Sequence, residues 1–224
     1  MPVYDADDSR HSMLSVVITE TMQTWVSKKT DNHVKGGLFN EDLNKQESIK
    51  IGYSGDAVFQ NKFPDATHVD ISGYDFIYNT IKVENKSWWT KFRPKENYFV
   101  QIPVDDLKRS KADIFVFIAI NNNFTTGVIA GWIECAQYKK HGLFRKKGER
   151  REGITSLTYV ADCYEMIIKD LHDPDKMLNY FQNSLQEVPL WDKLNTPYYD
   201  RIRAMSWNEH QADLVRRQTK EIGG

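Results

Sequence analysis

The chain has 224 residues, of which 40% are hydrophobic and 27% are charged, and its formal net charge is −1. This length supports a full hydrophobic core, and the composition argues against a largely disordered chain. With only two cysteines, neither a disulfide framework nor a zinc site of paired cysteines is expected. No apolar run approaches the roughly 20 residues that cross a bilayer, and the acidic N-terminus is unlike a secretory signal. We therefore expect a cytoplasmic protein with reduced thiols and no membrane anchor.

The first part of the chain is predicted to be helical. From Ser12 to Lys29, apolar residues recur at steps of three and four, which favours a helix that buries one face. The polar stretch from Asp31 to Lys50 is typical of a loop. A second, shorter helix is predicted from Ser54 to Phe63, because Pro64 follows its last apolar residue.

The middle of the chain is predicted to form a sheet. Three strand-like runs follow the second helix, at Thr67–Ile71, Tyr74–Tyr78 and Ile81–Lys86. Asn79-Thr80 can form the two-residue turn of a β-hairpin between the last two runs. The nearly all-apolar run Ala112–Ile120 is the predicted central strand, since a strand covered on both faces shows no polar alternation. Its predicted neighbour is Gly127–Cys135.

The remaining third is basic at first and aromatic at the end. Residues 139–151 are predicted to be an exposed basic loop, with seven Lys or Arg: Lys139, Lys140, Arg145, Lys146, Lys147, Arg150 and Arg151. A strand or mixed element is predicted at Leu157–Ile168, and Asp173-Pro174 then interrupts the chain. We therefore predict a domain at 1–172 and a helical extension at 173–224, which packs on the core or forms a dimer interface.

The predicted hairpin places two carboxylates opposite each other. With Asn79-Thr80 as the turn, Asp75 faces Glu84 across the ladder. Because side chains alternate along a strand, Asp75, Glu84 and Lys86 share one face, while the apolar residues between them face the core. Opposed acids destabilise a strand pair unless a cation offsets the repulsion, and oxygen ligands favour magnesium. Such an ion would polarise a phosphate and acidify an attacking water, and Lys86 could stabilise developing charge.

The segment GYDFIYNTIKVENKS, residues 73–87, resembles the PD-(D/E)xK nuclease superfamily. Sites of that family pair an acid on one hairpin strand with a (D/E)xK triplet on the next. The resemblance covers about residues 54–120 and implies a restriction-endonuclease-like α/β (α+β) core, with a central mixed β-sheet flanked by helices. It implies that Asp75 and Glu84 are catalytic metal ligands, that Lys86 is the catalytic lysine, and that the cofactor is Mg²⁺, with Mn²⁺ as a substitute.

The resemblance leaves part of the metal-ligand set open. The middle residue of the triplet is usually apolar in the family, whereas here it is Asn85, whose main-chain carbonyl could also reach the metal. An acid from a preceding helix often joins such sites, and Asp56 or Glu20 could take that role.

The identity of the first acid is also open. Asp70 and Asp65 both precede Glu84 at spacings that the family accepts, and only the cross-strand argument prefers Asp75. A second (D/E)xK match, Asp106–Lys108, lies in a polar stretch without an opposed acid, and we do not predict it to be the site.

Three functions are considered for this chain. The resemblance implies a Mg²⁺-dependent DNA endonuclease, whose DNA would contact the basic loop, with Phe144 available to stack on a base. The alternative is an inactive scaffold of the same fold that binds DNA or a protein. The third is an unrelated α+β interaction domain that acts through C-terminal aromatic residues. A homodimer would present two sites for double-strand cleavage.

Overall fold

A mixed β-sheet forms the centre of the molecule. The computed structural model describes residues 11–32, 45–150 and 158–183. Its strands are β1 (Leu14–Val17), β2 (Thr67–Ile71), β3 (Tyr74–Tyr78), β4 (Ile81–Thr90), β5 (Phe99–Pro103), β6 (Ile114–Asn121), β7 (Thr126–Glu134), β8 (Leu143–Arg145) and β9 (Cys163–Ile167). The central sheet has the strand order β1-β7-β6-β4-β3-β2, and a second, antiparallel sheet has the order β5-β9-β8. In the central sheet β4 and β6 are parallel, and the other neighbours are antiparallel.

Five α-helices are interspersed with these strands along the described part of the chain. They are α1 (Glu20–Asn32), α2 (Lys45–Lys62), α3 (Val104–Arg109), α4 (Cys135–His141) and α5 (Met177–Asn183), with short 3-10 turns at Ile168–Asp170 and Pro174–Lys176. The described residues are therefore mixed α/β with a mixed central sheet, as the sequence predicted. Within the described ranges, no helix is long and apolar enough to cross a membrane.

Two hydrophobic cores cover the two faces of the central sheet. The first core joins α2 and α5 to the sheet and includes Val58, Phe59, Phe76, Val83, Ile118 and Phe181. The second core joins the sheet to the smaller sheet and to α3 and α4, and includes Val100, Ile102, Leu107, Phe115, Phe117 and Tyr138. Alternate residues of β6 enter opposite cores, since Val116 lies in the first and Phe115 in the second. This confirms the prediction that β6 is a central strand buried on both faces.

Glycines let α2 lie close to the sheet. A Cβ atom at Gly55 would overlap the side chain of Ser87 on β4, and a Cβ atom at Gly127 on β7 would overlap Val58 of α2. The helix therefore contacts two strands at positions where one partner has no side chain. Because Ser87 follows Lys86 directly, this close packing fixes α2 beside the predicted triplet.

Some predicted elements are wrong in type or length. The predicted helix from Ser12 begins as strand β1, which pairs with β7, and α1 starts only at Glu20. The prediction is wrong here because the apolar residues of the short strand β1 and of the helix after it together give a spacing that a single helix would also show. Helix α2 begins at Lys45 rather than Ser54. The predicted basic loop instead contains the end of α4 and the strand β8.

The C-terminal prediction is covered only in part. Met177 and Phe181, both in the predicted extension, are fully buried in the first core. The ring of Phe181 stacks on Tyr78, with centroids 4.3 Å apart. The rest of the predicted extension, 184–224, lies outside the described residues. So does Leu157, the first residue of the predicted strand or mixed element at Leu157–Ile168, whose later part contains β9.

Candidate active site

The β3–β4 hairpin has the predicted register. Phe76 pairs with Val83, Ile77 with Lys82 and Tyr78 with Ile81. Asn79 begins the turn with a φ of 58°, a left-handed value that asparagine tolerates better than most residues. Continuing this register by one pair brings Asp75 opposite Glu84. One carboxylate oxygen of Asp75, Oδ2, accepts a hydrogen bond of 2.7 Å from the main-chain N–H of Asn85.

Glu84 and Lys86 lie together on the side of the sheet that faces α3. The Lys86 Nζ donates to Oε1 of Glu84 at 2.6 Å, and it lies 5.9 Å from the centre of the Phe115 ring in the second core. The side chain of Lys86 is 17% exposed and that of Glu84 is 13% exposed. The other carboxylate oxygen of Glu84, Oε2, is buried and has no hydrogen-bond partner in the described part of the chain. A buried acceptor without a partner is costly unless a ligand or water reaches it.

Negative charge is concentrated around Asp75. Its pKa is raised well above the ordinary value of 3.8, first by burial and then by the charges of Asp56 and Glu84. The Asn85 N–H and the Lys86 ammonium act in the opposite direction, but more weakly. Asp56 and Glu84 are therefore each close enough to repel the charge of Asp75. A cation bound between Asp75 and Glu84 would relieve the repulsion between those two carboxylates.

Asp56 reaches the triplet from the opposite side of β4. It lies on α2, is only 7% exposed, and its Oδ1 accepts a 2.9 Å hydrogen bond from the Asn85 side chain. Its Oδ2 lies 3.7 Å from Nε2 of the buried His68. The middle residue of the triplet thus points toward the helix, where an apolar residue was expected, and a buried carboxylate provides its polar partner.

Other predicted acids lie elsewhere. Glu20 is exposed at the first residue of α1, and no contact joins its carboxylate to Asp75 or Glu84 among the residues that the structure describes. Asp65 is exposed, and its charge contributes, after burial, to the raised pKa of Tyr78 near the hairpin turn. Asp70 lies in β2, but its side chain is outside the described part of the structure.

Asp106 is a neighbour of the triplet that the sequence does not predict. It lies on α3, with its Oδ2 3.7 Å from the Lys86 Nζ. Lys86 therefore lies between two carboxylates. No local pattern predicts this contact, because the 19 residues between Lys86 and Asp106 do not specify where α3 packs.

The predicted nucleic-acid-binding residues divide into two groups. Exposed side chains on α4 and after β8 are Lys139, Lys140, Lys146, Lys147 and Arg150. Arg145 is different, because its guanidinium donates to the buried Glu165 at 2.8 Å and to Glu149 at 2.9 Å. The Arg145 guanidinium is therefore already paired with two carboxylates of the fold. Arg151 lies outside the described residues.

Cys135, the first residue of α4, lies within electrostatic range of Glu84. The pKa of its thiol is raised to about 12, first by burial and then by the charge of Glu84, while the charge of Lys139 acts in the opposite direction.

The donor set fits a magnesium ion better than a zinc ion. Within the described ranges, no three His, Cys, Asp or Glu side chains already form a metal cage. Magnesium in phosphate-processing sites commonly takes only one or two carboxylates and fills its other positions with water and substrate oxygens. Asp75 and Glu84 supply two carboxylates on one face, and Glu84 Oε2 is without a partner in this part of the chain.

Comparison with known proteins adds no relative. No protein family model, no curated protein and no solved structure matches this chain.

Proposed function

We propose that this chain is a Mg²⁺-dependent DNA endonuclease with a restriction-endonuclease-like fold, in which Asp75, Glu84 and Lys86 are the catalytic residues. The observation that carries the proposal is the meeting of these three side chains at one hairpin. Glu84 and Lys86 are in direct contact, and the charge of Glu84 raises the pKa of Asp75. Chance triplets occur in many chains, but an opposed acid with a raised pKa beside one is characteristic of functional sites.

Asp75 and Glu84 are the residues that would hold the ion. When bound, the ion would neutralise charge on a phosphate and lower the pKa of a water molecule. The main-chain N–H of Asn85 holds one oxygen of Asp75 in place. Lys86 can donate to negative charge that develops on the phosphate. Its Nζ lies 2.6 Å from Oε1 of Glu84 and 3.7 Å from Oδ2 of Asp106.

The exposed basic residues of α4 and the segment after β8 are the proposed DNA contacts. Lys139, Lys140, Lys146, Lys147 and Arg150 present positive charge on a chain whose net charge is only −1. Phosphate contacts of this kind weaken as salt rises, because binding releases counterions. A homodimer would bring two such surfaces to a duplex, and light scattering tests for it.

An inactive scaffold of the same fold is the second candidate. It is favoured by the absence of a ready-made three-ligand cage in the described residues and by the direct ion pair of Lys86 with Glu84. Such a scaffold would bind DNA or protein without responding to Mg²⁺ or Mn²⁺.

Cleavage of supercoiled plasmid and of single-stranded DNA with Mg²⁺ or Mn²⁺ separates the two candidates. The wild type is expected to cut, and both Glu84→Gln and Lys86→Ala are expected to lose at least about 100-fold in rate, since each removes a group that stabilises the transition state. Lys82→Ala is the matched control, because Lys82 lies on the same face of β4 but is exposed. If the wild type left every substrate intact, the inactive scaffold would be the better candidate.

A further inference from the structure

Two successive residues of helix α2 contact two alternate residues of β4. Gly55 packs against Ser87, and the next residue of the helix, Asp56, accepts a hydrogen bond from Asn85. Both contacts lie on the face of the sheet opposite to Glu84 and Lys86. The helix therefore holds the catalytic strand from behind.

Asn85 connects the two faces of the sheet. Its side-chain amide donates to Asp56 on one face, and its main-chain N–H donates to Asp75 at the edge shared with β3. The orientation of one peptide unit thus depends on a helix residue and in turn fixes a carboxylate of the site. A shift of Asn85 away from α2 would move the N–H that holds Asp75.

The carboxylate of Asp56 is already engaged. Oδ1 accepts from Asn85 at 2.9 Å, Oδ2 lies 3.7 Å from Nε2 of His68, and the residue is 7% exposed. A buried carboxylate is costly unless it is hydrogen-bonded or paired. These partners face the first core and not the side that carries Glu84 and Lys86. A direct ligand would have to give up this arrangement.

We infer that Asp56 is a positioning residue that acts on the site through Asn85, and that it is not a metal ligand. The inference rests on the proposed function, since it assigns how one of the three acids serves that site. Groups that orient metal ligands typically alter metal affinity by about 10- to 100-fold when removed.

Four variants of the full chain test the inference by calorimetric titration with Mn²⁺ alone, supported by cleavage kinetics. Asp56→Ala and Asn85→Ala each remove the hydrogen bond and are expected to weaken Mn²⁺ binding about tenfold or more. The double variant is expected to be no worse than either single variant, because both act through one bond. Asp56→Asn keeps an oxygen that accepts from Asn85 but removes the charge, so its affinity is expected to stay within about threefold of wild type.

A matched control removes a purely structural explanation. Val58→Ala creates a cavity under the same helix without touching the triplet. It is expected to lower the unfolding midpoint at least as much as Asp56→Ala, yet to leave Mn²⁺ affinity unchanged. Equal losses of affinity in Val58→Ala and Asp56→Ala would overturn the inference.

Further outcomes also decide the question. If Asp56→Asn loses affinity as fully as Asp56→Ala, the charge itself binds the ion, and Asp56 is a ligand. If Asp56→Ala binds Mn²⁺ as wild type does, Asp56 has no positioning role. A wild type that binds Mn²⁺ while the variants show no coupling refutes only this inference, whereas a wild type that neither binds Mn²⁺ nor cleaves DNA refutes the proposed function as well.

Discussion

The carboxylate of Asp75 is held at an electrostatic cost. It is surrounded by the charges of Asp56 and Glu84, and its principal stabilising contact is a single main-chain N–H. Binding sites often retain such unfavourable charges, because the ligand relieves them. The stability of the free protein and its affinity for the ion are therefore expected to change in opposite directions when this charge is removed.

Asp75→Asn is expected to stabilise the protein without metal by about 1 kcal/mol, because it removes a desolvated charge and keeps an oxygen for the Asn85 N–H. Adding Mn²⁺ should reverse the order, since only the wild type gains the linkage free energy of binding. Urea unfolding with chelator and with Mn²⁺ measures both effects. Asp65→Asn, at an exposed site, should change neither. A variant less stable than wild type in chelator would contradict this prediction.

Asp106 restrains Lys86 from helix α3. With the carboxylate 3.7 Å from Nζ, the ammonium is shared between Glu84 and Asp106. Asp106→Asn is expected to lower kcat about fivefold with little change in KM, because a less ordered Lys86 stabilises the transition state less well. Asp105→Asn is the matched control, since Asp105 is exposed on the same helix. Steady-state cleavage kinetics would count against the role of Asp106 if both variants matched wild type.

At the scale of elements, the sequence predicted the hairpin well, because several local signals agreed there. Alternation in β3 and β4, the Asn79-Thr80 turn and the opposed acids all pointed to one register, and the structure has that register. The run in β6 was equally informative, since burial on both faces leaves only apolar residues. The sequence predicts an element well when its apolar residues follow one clear periodicity and turn residues mark its ends.

Elements and contacts fixed by distant partners were missed. Strand β1 has four residues and exists because β7 pairs with it. Strand β8 likewise forms by pairing with β9, and the basic sequence by itself predicts only a loop. At the site, the same limit applies to Asp106, and to the hydrogen bond between Asp56 and Asn85, whose residues are 29 positions apart. Packing between elements decides these contacts, and no local pattern encodes it.

The docking of α2 on the sheet offers a test in which two glycines of one helix behave in opposite ways. A Cβ at Gly55 would overlap Ser87, whereas a Cβ at Gly52 meets no atom within 4 Å. Gly55→Ala is expected to destabilise the protein by about 1–3 kcal/mol through overpacking, and to weaken Mn²⁺ binding because β4 shifts. Gly52→Ala should stabilise it by about 0.5–1 kcal/mol, since alanine favours the helix. Chemical unfolding that ranks the two variants the other way would show that α2 does not approach β4 at Gly55.

For the whole molecule, the position of Met177 and Phe181 decides where the chain can be shortened. Both side chains are fully buried in the first core, and Phe181 packs against Phe63 as well as Tyr78. A cut after Pro174 therefore does not separate a terminal appendage from the domain that carries the proposed site. It removes part of the core that supports the hairpin.

A chain ending at Pro174 is expected to lose cooperative unfolding and cleavage together. Removing a buried methionine and a buried phenylalanine costs about 2–5 and 3–5 kcal/mol, which approaches the 5–15 kcal/mol that holds a typical domain folded. A chain ending at Asn183 keeps both residues and is expected to unfold cooperatively and to cut DNA. The full-length double variant Met177→Ala, Phe181→Ala serves as the control, because it empties the same part of the core without shortening the chain. Thermal unfolding and plasmid cleavage measure all three proteins. If the chain ending at Pro174 unfolded at the wild-type midpoint, α5 would not be part of the core, and this prediction would be wrong.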